Sequence, residues 1–446
     1  MWSTRGSPSA SPRSGPSTAW GGSPRPGASA ISRPASSRSP RSHCADCLRA
    51  TKEVRMKIAH IVNVGFEAGG AERSVRLVAG GLRRRGHQVL VIATDHLLDN
   101  PAVSDREVFA DVLVPAIRGG PLRRFAGYFW HRPAYRQVTA ALRSFAPDVV
   151  HLHTIGEFSP AVLSASAAYP RVLTVHGPED WTRELLSWNL RSRTEGHSRL
   201  SITDTARLAY LRFLQRPAYL RRLRSVDRVL TPSRFLADVV RHDLPRTPIR
   251  VVPNGVPLPT ASPVPDTADA LFVGRLEPVK GAHVLVDAFA TVARRLPDAR
   301  LTLAGDGAQR AVLEKSVSEQ GLADRVRFAG WLGERELAAA YRAASVVVIP
   351  SVWPENFPTV ALEALGVGRA VAATEVGGIP ELIRPGHNGV LVPPGEPGAL
   401  ADALSRLLRD PGLRRAMGAH SAGLASCHRL GPFLDRLEQH YREVRR

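Results

Sequence analysis

The chain has 446 residues, about three times the usual single-domain length, so two domains are expected. With 43% hydrophobic and 22% charged residues, wholesale disorder is excluded. The net charge of +20 points first to nucleic acid or an anionic membrane, but four lysines (Lys52, Lys57, Lys280, Lys315) stand against 56 arginines spread along the chain, which reads as compositional bias.

Residues 1–50 are one-half Ser, Pro and Gly, interleaved with Arg and without hydrophobic period, and are expected to form a disordered tail over 1–55 or to lie upstream of the true start at Met56. His43, Cys44 and Cys47 have metal-like spacing, but no second ligand pair follows and a closed zinc site needs four ligands. Three cysteines fit a reducing cytosol, and no apolar run is long enough for a transmembrane helix.

From Met56 the pattern is strand, loop, helix, repeated. The run KIAHIVNV (57–64) is a strand; a glycine-rich loop follows, then a helix with apolar Ala71, Val75, Val78 and Leu82, closed by Gly86. Further strands are expected at 89–93, 149–153, 171–176, 228–231 and 249–252, several of them continuously apolar as in a parallel sheet covered on both faces. The Pro-rich stretch 253–269 reads as a linker. A second series has strands at 270–273, 301–304, 326–328, 346–349, 370–373 and 390–392, with a helix marked by Val284, Ala288, Phe289, Val292 and Leu296. The expected architecture is α/β: two Rossmann-like, doubly wound domains over 56–252 and 270–425, with a C-terminal helix (426–446) packing back on the first. Ligands of such sheets bind beyond the carboxyl ends of the strands, which places the site in the cleft between the domains.

Five segments after strands carry candidate chemistry. The loop containing Gly69 and Gly70 opens a helix whose amides and dipole suit an anion. His176 follows a strand and points into the cleft. His151 and His153 are expected to alternate across their strand, facing different sides, and so to be packing residues or to stand behind the site. Gly274 and Arg275 open a loop ending at Lys280, where two cations can clamp a pyrophosphate. Asp306, between Gly305 and Gly307, lines a nucleotide pocket or simply makes a turn. Glu355 and Glu363 lie eight residues apart around Pro358, which fits a first helical turn; Glu355 then sits in the loop and Glu363 one turn into the helix, each accepting hydroxyls on either side of a phosphate.

Together these residues resemble the retaining family 4 glycosyltransferases of the GT-B fold. The resemblance rests on GGAERSVRLVAGGLRRRGHQV (69–89), TVHG (174–177), VPNGV (252–256), VGRLEPVKG (273–281), AGDG (304–307) and PENFPTVALEALGVGRAVAATEVGGIPELI (354–383). It implies a hexosyl unit moved with retention from a UDP-, GDP- or ADP-sugar to an unidentified acceptor, with neither metal nor cofactor. By the same resemblance Arg275 and Lys280 hold the diphosphate, Glu355 the sugar hydroxyls and Glu363 the ribose. Asn356, Phe357, Pro358 and Thr359 line the donor, as do Gly274, Asp306 and, from the VPNGV motif, Asn254. His176 with Gly69 and Gly70 completes the site on closure. The family commonly has Gly where Asn356 stands, which bears on donor preference.

The basic, aromatic stretch 207–224, with helical spacing broken near Pro217, is read first as solvated helices or a lid, and second as a peripheral membrane contact. The expected location is the cytoplasm, with the inner membrane face as the place of such a contact. Two rival functions are another nucleotide-sugar reaction on the same fold and nucleic-acid binding; no helix-turn-helix, zinc-finger or RNA-recognition signature supports the latter, and no nucleic-acid partner is expected.

Overall fold

The computed structural model describes residues 55–98, 106–177, 181–182 and 209–445. The tail 1–53 and its Cys/His spacing lie outside the described residues. Val54–Arg446 forms one compact unit, built on two all-parallel sheets.

The first sheet contains β1 (Lys57–Val64), β2 (Gln88–Thr94), β3 (Val112–Val114), β4 (Val149–Leu152), β5 (Arg171–Thr174), β6 (Arg228–Thr231) and β7 (Ile249–Val251), in the order β3-β2-β1-β4-β5-β6-β7. The second contains β8 (Asp269–Val273), β9 (Arg300–Ala304), β10 (Val326–Gly330), β11 (Val346–Ile349), β12 (Ala370–Thr374) and β13 (Gly389–Val392), ordered β10-β9-β8-β11-β12-β13. Both are wound outward in two directions from their first strand, as the doubly wound expectation requires. The strand missed by sequence is β3, a three-residue edge too short to show a period.

Each sheet is apolar on both faces because helices cover both. In the first lobe, Ala59, Ile61, Val150 and Leu152 pack with Val138 and Leu142 of the helix Arg132–Phe145. The opposite face sets Ile58, Val149 and Val172 against Val78 and Leu82 of the helix Gly70–Arg84, and against Phe433, Leu434, Leu437 and Tyr441 of the C-terminal helix Leu430–Arg445. That helix therefore crosses from the second lobe to the first. In the second lobe Phe272, Val346 and Val348 pack with Val284, Ala288, Phe289 and Val292 on one face, while Leu271, Val347 and Val371 pack with Ala361, Leu362 and Leu365 on the other.

Two sequence expectations need correction. Pro217 does not break the stretch it occupies: a π-helical turn, Leu211–Gln215, runs directly into the helix Arg216–Leu223. The wider turn accommodates a residue that lacks an N–H and crowds the preceding carbonyls. Residues 207–208 of that stretch lie outside the described residues. Pro358, expected inside the first turn of its helix, is instead the N-cap of Thr359–Val367.

Candidate active site

The carboxyl ends of both sheets meet at side chains that bond directly between the lobes. Arg73 of the first-lobe helix donates to Glu363 Oε1 at 2.6 Å, and Asn356 Nδ2 donates to the His176 carbonyl at 2.8 Å. Beside them, Glu381 accepts the Arg234 and Phe235 backbone N–H groups at 3.0 and 2.9 Å, capping the helix Arg234–Asp243 from the opposite lobe.

Glu363 is the fifth residue of Thr359–Val367, an apolar helix buried on every side from Ala361 onward. Its other oxygen, Oε2, accepts the Tyr341 hydroxyl at 2.8 Å. Burial, followed by the neighbouring Glu363 charge, holds the Tyr341 phenol well above its ordinary pKa, so it remains a donor. Glu355 lies in the loop before that helix, as expected; its Oε1 accepts from Lys280 Nζ at 2.6 Å and from Ser351 Oγ at 2.7 Å. Gly377, at φ +58°, makes room for it: a Cβ there would lie 2.1 Å from the Glu355 carbonyl, whose oxygen accepts the Gly378 N–H at 2.6 Å. Of residues 357–359 only Phe357 and Thr359 carry an N–H to offer a ligand, since Pro358 has none. Phe357 is buried, with its ring 5.5 Å from that of His428.

Arg275 is more exposed than Lys280 and pairs with Glu277 at 2.6 Å. Gly274 approaches the next loop closely: its carbonyl would lie 1.9 Å from a Cβ at Gly305, where φ is +139°. Asp306, in that loop, accepts the Gly307 N–H at 2.8 Å and stays exposed. Asn254 makes a backbone hydrogen bond with His428, between β7 and the C-terminal helix. Gly69 is the N-cap of Gly70–Arg84, with open space over Gly70. The Glu72 carboxyl folds back onto this helix end; burial raises its pKa, and the backbone N–H groups of Glu72 and Gly69 offset only part of that rise.

His151 and His153 require the clearest correction. They stand two residues apart, and a strand returns to the same face every second residue. Their ring centroids are 4.0 Å apart. His60 is the register partner of His151 on the adjacent β1, and its ring stacks 5.2 Å from that of His153. His153 Nδ1 is 2.9 Å from His176 Nε2, so a histidine cluster runs from the sheet interior to the cleft. Burial lowers the pKa of His176 to about 4. Burial, then the Arg83 charge, lowers that of His60 to about 3. Sequence reasoning missed Arg73, Tyr341, Ser351 and His60. The GGAER segment was read for its glycines, while Arg73 meets its partner 290 positions away.

Two family descriptions match, and together they span nearly all of this unit: Glycosyltransferase Family 4 over residues 68–259 and Glycosyl transferases group 1 over residues 261–422. The chain belongs to the family 4 glycosyltransferases of the GT-B fold. As a family 4 glycosyltransferase it is 28% identical over 379 residues to phosphatidyl-myo-inositol mannosyltransferase of Mycobacterium leprae, covering 82% of this chain and 91% of the relative. It is 36% identical over 180 residues to alpha-D-kanosaminyltransferase of Streptomyces kanamyceticus, covering 40% of this chain and 46% of the relative. The match to D-inositol 3-phosphate glycosyltransferase of Streptomyces bingchenggensis spans 36% of that protein, so the chain matches less than half the length of these last two relatives. Among solved structures, sucrose-phosphate synthase of Thermosynechococcus elongatus superposes with a TM-score of 0.67 at 24% identity, covering 87% of this chain and 99% of the other. Anabaena HepE, in complex with UDP and glucose, gives 0.63 at 21% identity, covering 87% and 100%. Both likenesses show the fold.

Proposed function

We propose that this glycosyltransferase moves a hexosyl unit from a nucleoside-diphosphate sugar to a hydroxyl acceptor, with retention of anomeric configuration and without a metal. The observation that carries the reading is the pair of carboxylates, Glu355 and Glu363, on either side of the N-terminus of the helix Thr359–Val367, with Lys280 at 2.6 Å from the first. A helix N-terminus suits phosphate, and a carboxylate on each side suits hydroxyls of a sugar and a ribose.

In this reading Lys280 and Arg275 stabilise the charge that develops on the leaving diphosphate. Glu363, supported by Tyr341, takes the ribose; Glu355 and His176 hold the sugar. Gly69, Gly70, Gly274, Asp306, Asn254, Asn356, Phe357, Pro358 and Thr359 complete the donor side. The acceptor hydroxyl attacks the anomeric carbon from the face the diphosphate leaves; the C–O bond to the diphosphate breaks, and a leaving phosphate oxygen takes the hydroxyl proton. Neither glutamate becomes covalently linked to the sugar, unlike the nucleophile of retaining glycosidases. UDP in the Anabaena neighbour and inositol in the name of two relatives make UDP-sugars and inositol-type acceptors the first to test.

The test is a thermal shift of the protein with UDP, GDP, ADP and their hexose conjugates, repeated with Lys280→Ala and Glu363→Ala. A shift for one nucleotide that both variants lose supports the reading; a folded protein that no nucleotide shifts refutes it. The anomeric proton coupling of the product then decides retention. A second element is a membrane contact. Leu122, Phe213 and Leu214 are exposed beside Arg123, Arg124 and Arg212, and the Phe125 and Tyr210 rings join the two segments at 4.1 Å. Cosedimentation with anionic vesicles that Phe213→Ser weakens is the expected result; equal partitioning of both proteins removes this element. Among the described residues no helix is long and apolar enough to cross a membrane.

A further inference from the structure

His176 ends a row of three buried or part-buried imidazoles that its proposed role does not by itself explain. His176 Nε2 lies 2.9 Å from His153 Nδ1, and His153 Nε2 lies 2.9 Å from His60 Nδ1. His60 Nε2, at the far end, is buried and has no hydrogen-bond partner among the described residues. His60 and His153 are 0% and 2% exposed, whereas His176 keeps partial exposure at the cleft.

Burial lowers the pKa of all three rings, so near neutrality each carries a single ring proton. Three protons serve two inter-ring bonds, and every bond must run in the same direction along the row. The remaining N–H therefore stands at one end: on His60 Nε2, buried and unpartnered, or on His176 Nδ1, at the cleft. A buried N–H without an acceptor is among the rarest defects of folded proteins, and a bare acceptor is better tolerated. At the cleft, water or a ligand hydroxyl satisfies either form.

We propose that His153 and His60 are positioning residues that fix the tautomer of His176, keeping the proton on Nδ1 so that this atom donates a hydrogen bond to a hydroxyl of the donor sugar. The sugar as ligand rests on the function proposed above; the tautomer does not. His60 Nδ1 donates to His153 Nε2, and His153 Nδ1 donates to His176 Nε2. The other lobe holds the same residue by its backbone, through Asn356 Nδ2 on the His176 carbonyl at 2.8 Å. His151 stands beside the row rather than in it. Its Nδ1 is 2.6 Å from the Tyr441 hydroxyl and its Nε2 is 2.7 Å from Thr174 Oγ1. With both nitrogens of His151 and of His153 engaged, hydrogen bonding rather than metal ligation accounts for the cluster.

The experiment is histidine-selective nitrogen-15 labelling of the full chain, with long-range proton–nitrogen correlation and assignment of His176 by its loss in His176→Asn. Alongside it, turnover of UDP-glucose is compared in wild type, His153→Asn and His153→Phe, with melting temperatures as the folding control. A protonated Nδ1 and bare Nε2 on His176 are expected, preserved in His153→Asn, whose amide can still donate from the Nδ1 position. His153→Phe is expected to lose this fixed tautomer and to lower kcat by about tenfold, with KM changing less. A protonated Nε2 on wild-type His176 overturns the proposal, as does a His153→Phe variant with unchanged tautomer and turnover. Stoichiometric zinc in the purified protein also overturns it, because the cluster is then a metal site. The expected tautomer in a wild type that turns over no nucleotide sugar sustains the positioning role and removes the transferase reading.

Discussion

The two sheets share a winding order, but the carboxyl ends of their strands are furnished differently. The second lobe presents charges: Lys280 and Glu355 in the segments that follow strands and Glu363 one turn into a helix, each already paired. The first lobe presents His176, backed by buried His153 and His60 that burial keeps neutral. The contrast is physical. On the proposed function, charge at the second lobe answers to a charged ligand part, since a diphosphate needs cations and a helix end. A row of neutral imidazoles supplies orientation with no net charge, and it can be buried because its members satisfy one another.

The sharpest way to break this comparison is to remove charge from the second lobe. Lys280→Ala should reduce kcat by ~10²–10³, the loss measured for a single donor to a developing anion. Steady-state kinetics with the nucleotide sugar found by thermal shift checks it. Turnover within a few-fold of wild type would mean that the lysine only pairs with Glu355. Glu363→Gln should weaken nucleotide binding by about 10–100-fold, the value of a hydrogen bond to a charged group. Titration calorimetry reads this directly, and the same variant should bind inorganic phosphate as wild type does if Glu363 serves the ribose alone.

How far each half was legible follows from the same difference. The charged site reads from sequence because its parts are local: Glu355, Pro358 and Glu363 fall within nine residues, and Pro358 marks the helix start even though it stands one position outside it. The strands read well too, because parallel strands buried on both faces are continuously apolar, and only the three-residue β3 escaped. The histidine row did not read. Its members come from three strands, His60 inside β1 and His153 and His176 just past the ends of β4 and β5. Residues two apart on a strand share a face, contrary to the expectation that His151 and His153 face different sides. His60 resembles any polar interruption of an apolar strand until β1 and β4 are set in register, His60 against His151. Arg73 and Tyr341 were invisible for the related reason that each bonds to Glu363 from far along the chain, 290 and 22 positions away.

Acid should sharpen the comparison by acting on the first lobe. The unfolded chain binds protons at ordinary histidine values, near 6.5, whereas folded His176 and His60 wait until about 4 and about 3. Below 6.5 the unfolded state therefore holds more protons, so stability is full above that pH and falls as pH drops toward 4. Each such histidine adds up to about 1.4 kcal/mol per pH unit in that window. Denaturant melts from pH 7.5 to 5 should show the decline, and His60→Leu should flatten it; an unchanged slope would mean that His60 is charged or solvated in the folded protein.

The smallest effect probes one of the bonds that join the two lobes, the ion pair of Arg73 with Glu363. Arg73 donates to Glu363 at 2.6 Å, with the arginine 28% and the glutamate 7% exposed, so one partner is well buried and the other still solvated. A ribose that uses both Glu363 oxygens must share or displace this pair. Arg73→Ala should then tighten UDP binding by about fivefold, equivalent to about 1 kcal/mol, while lowering the melting temperature of the free protein. The two readouts separate competition from support: if affinity falls together with stability, Arg73 belongs to the nucleotide site and closure brings it to the ligand. If affinity rises as stability falls, the first lobe carries a charge that stands in for substrate when the site is empty, in contrast to the neutral row beside it.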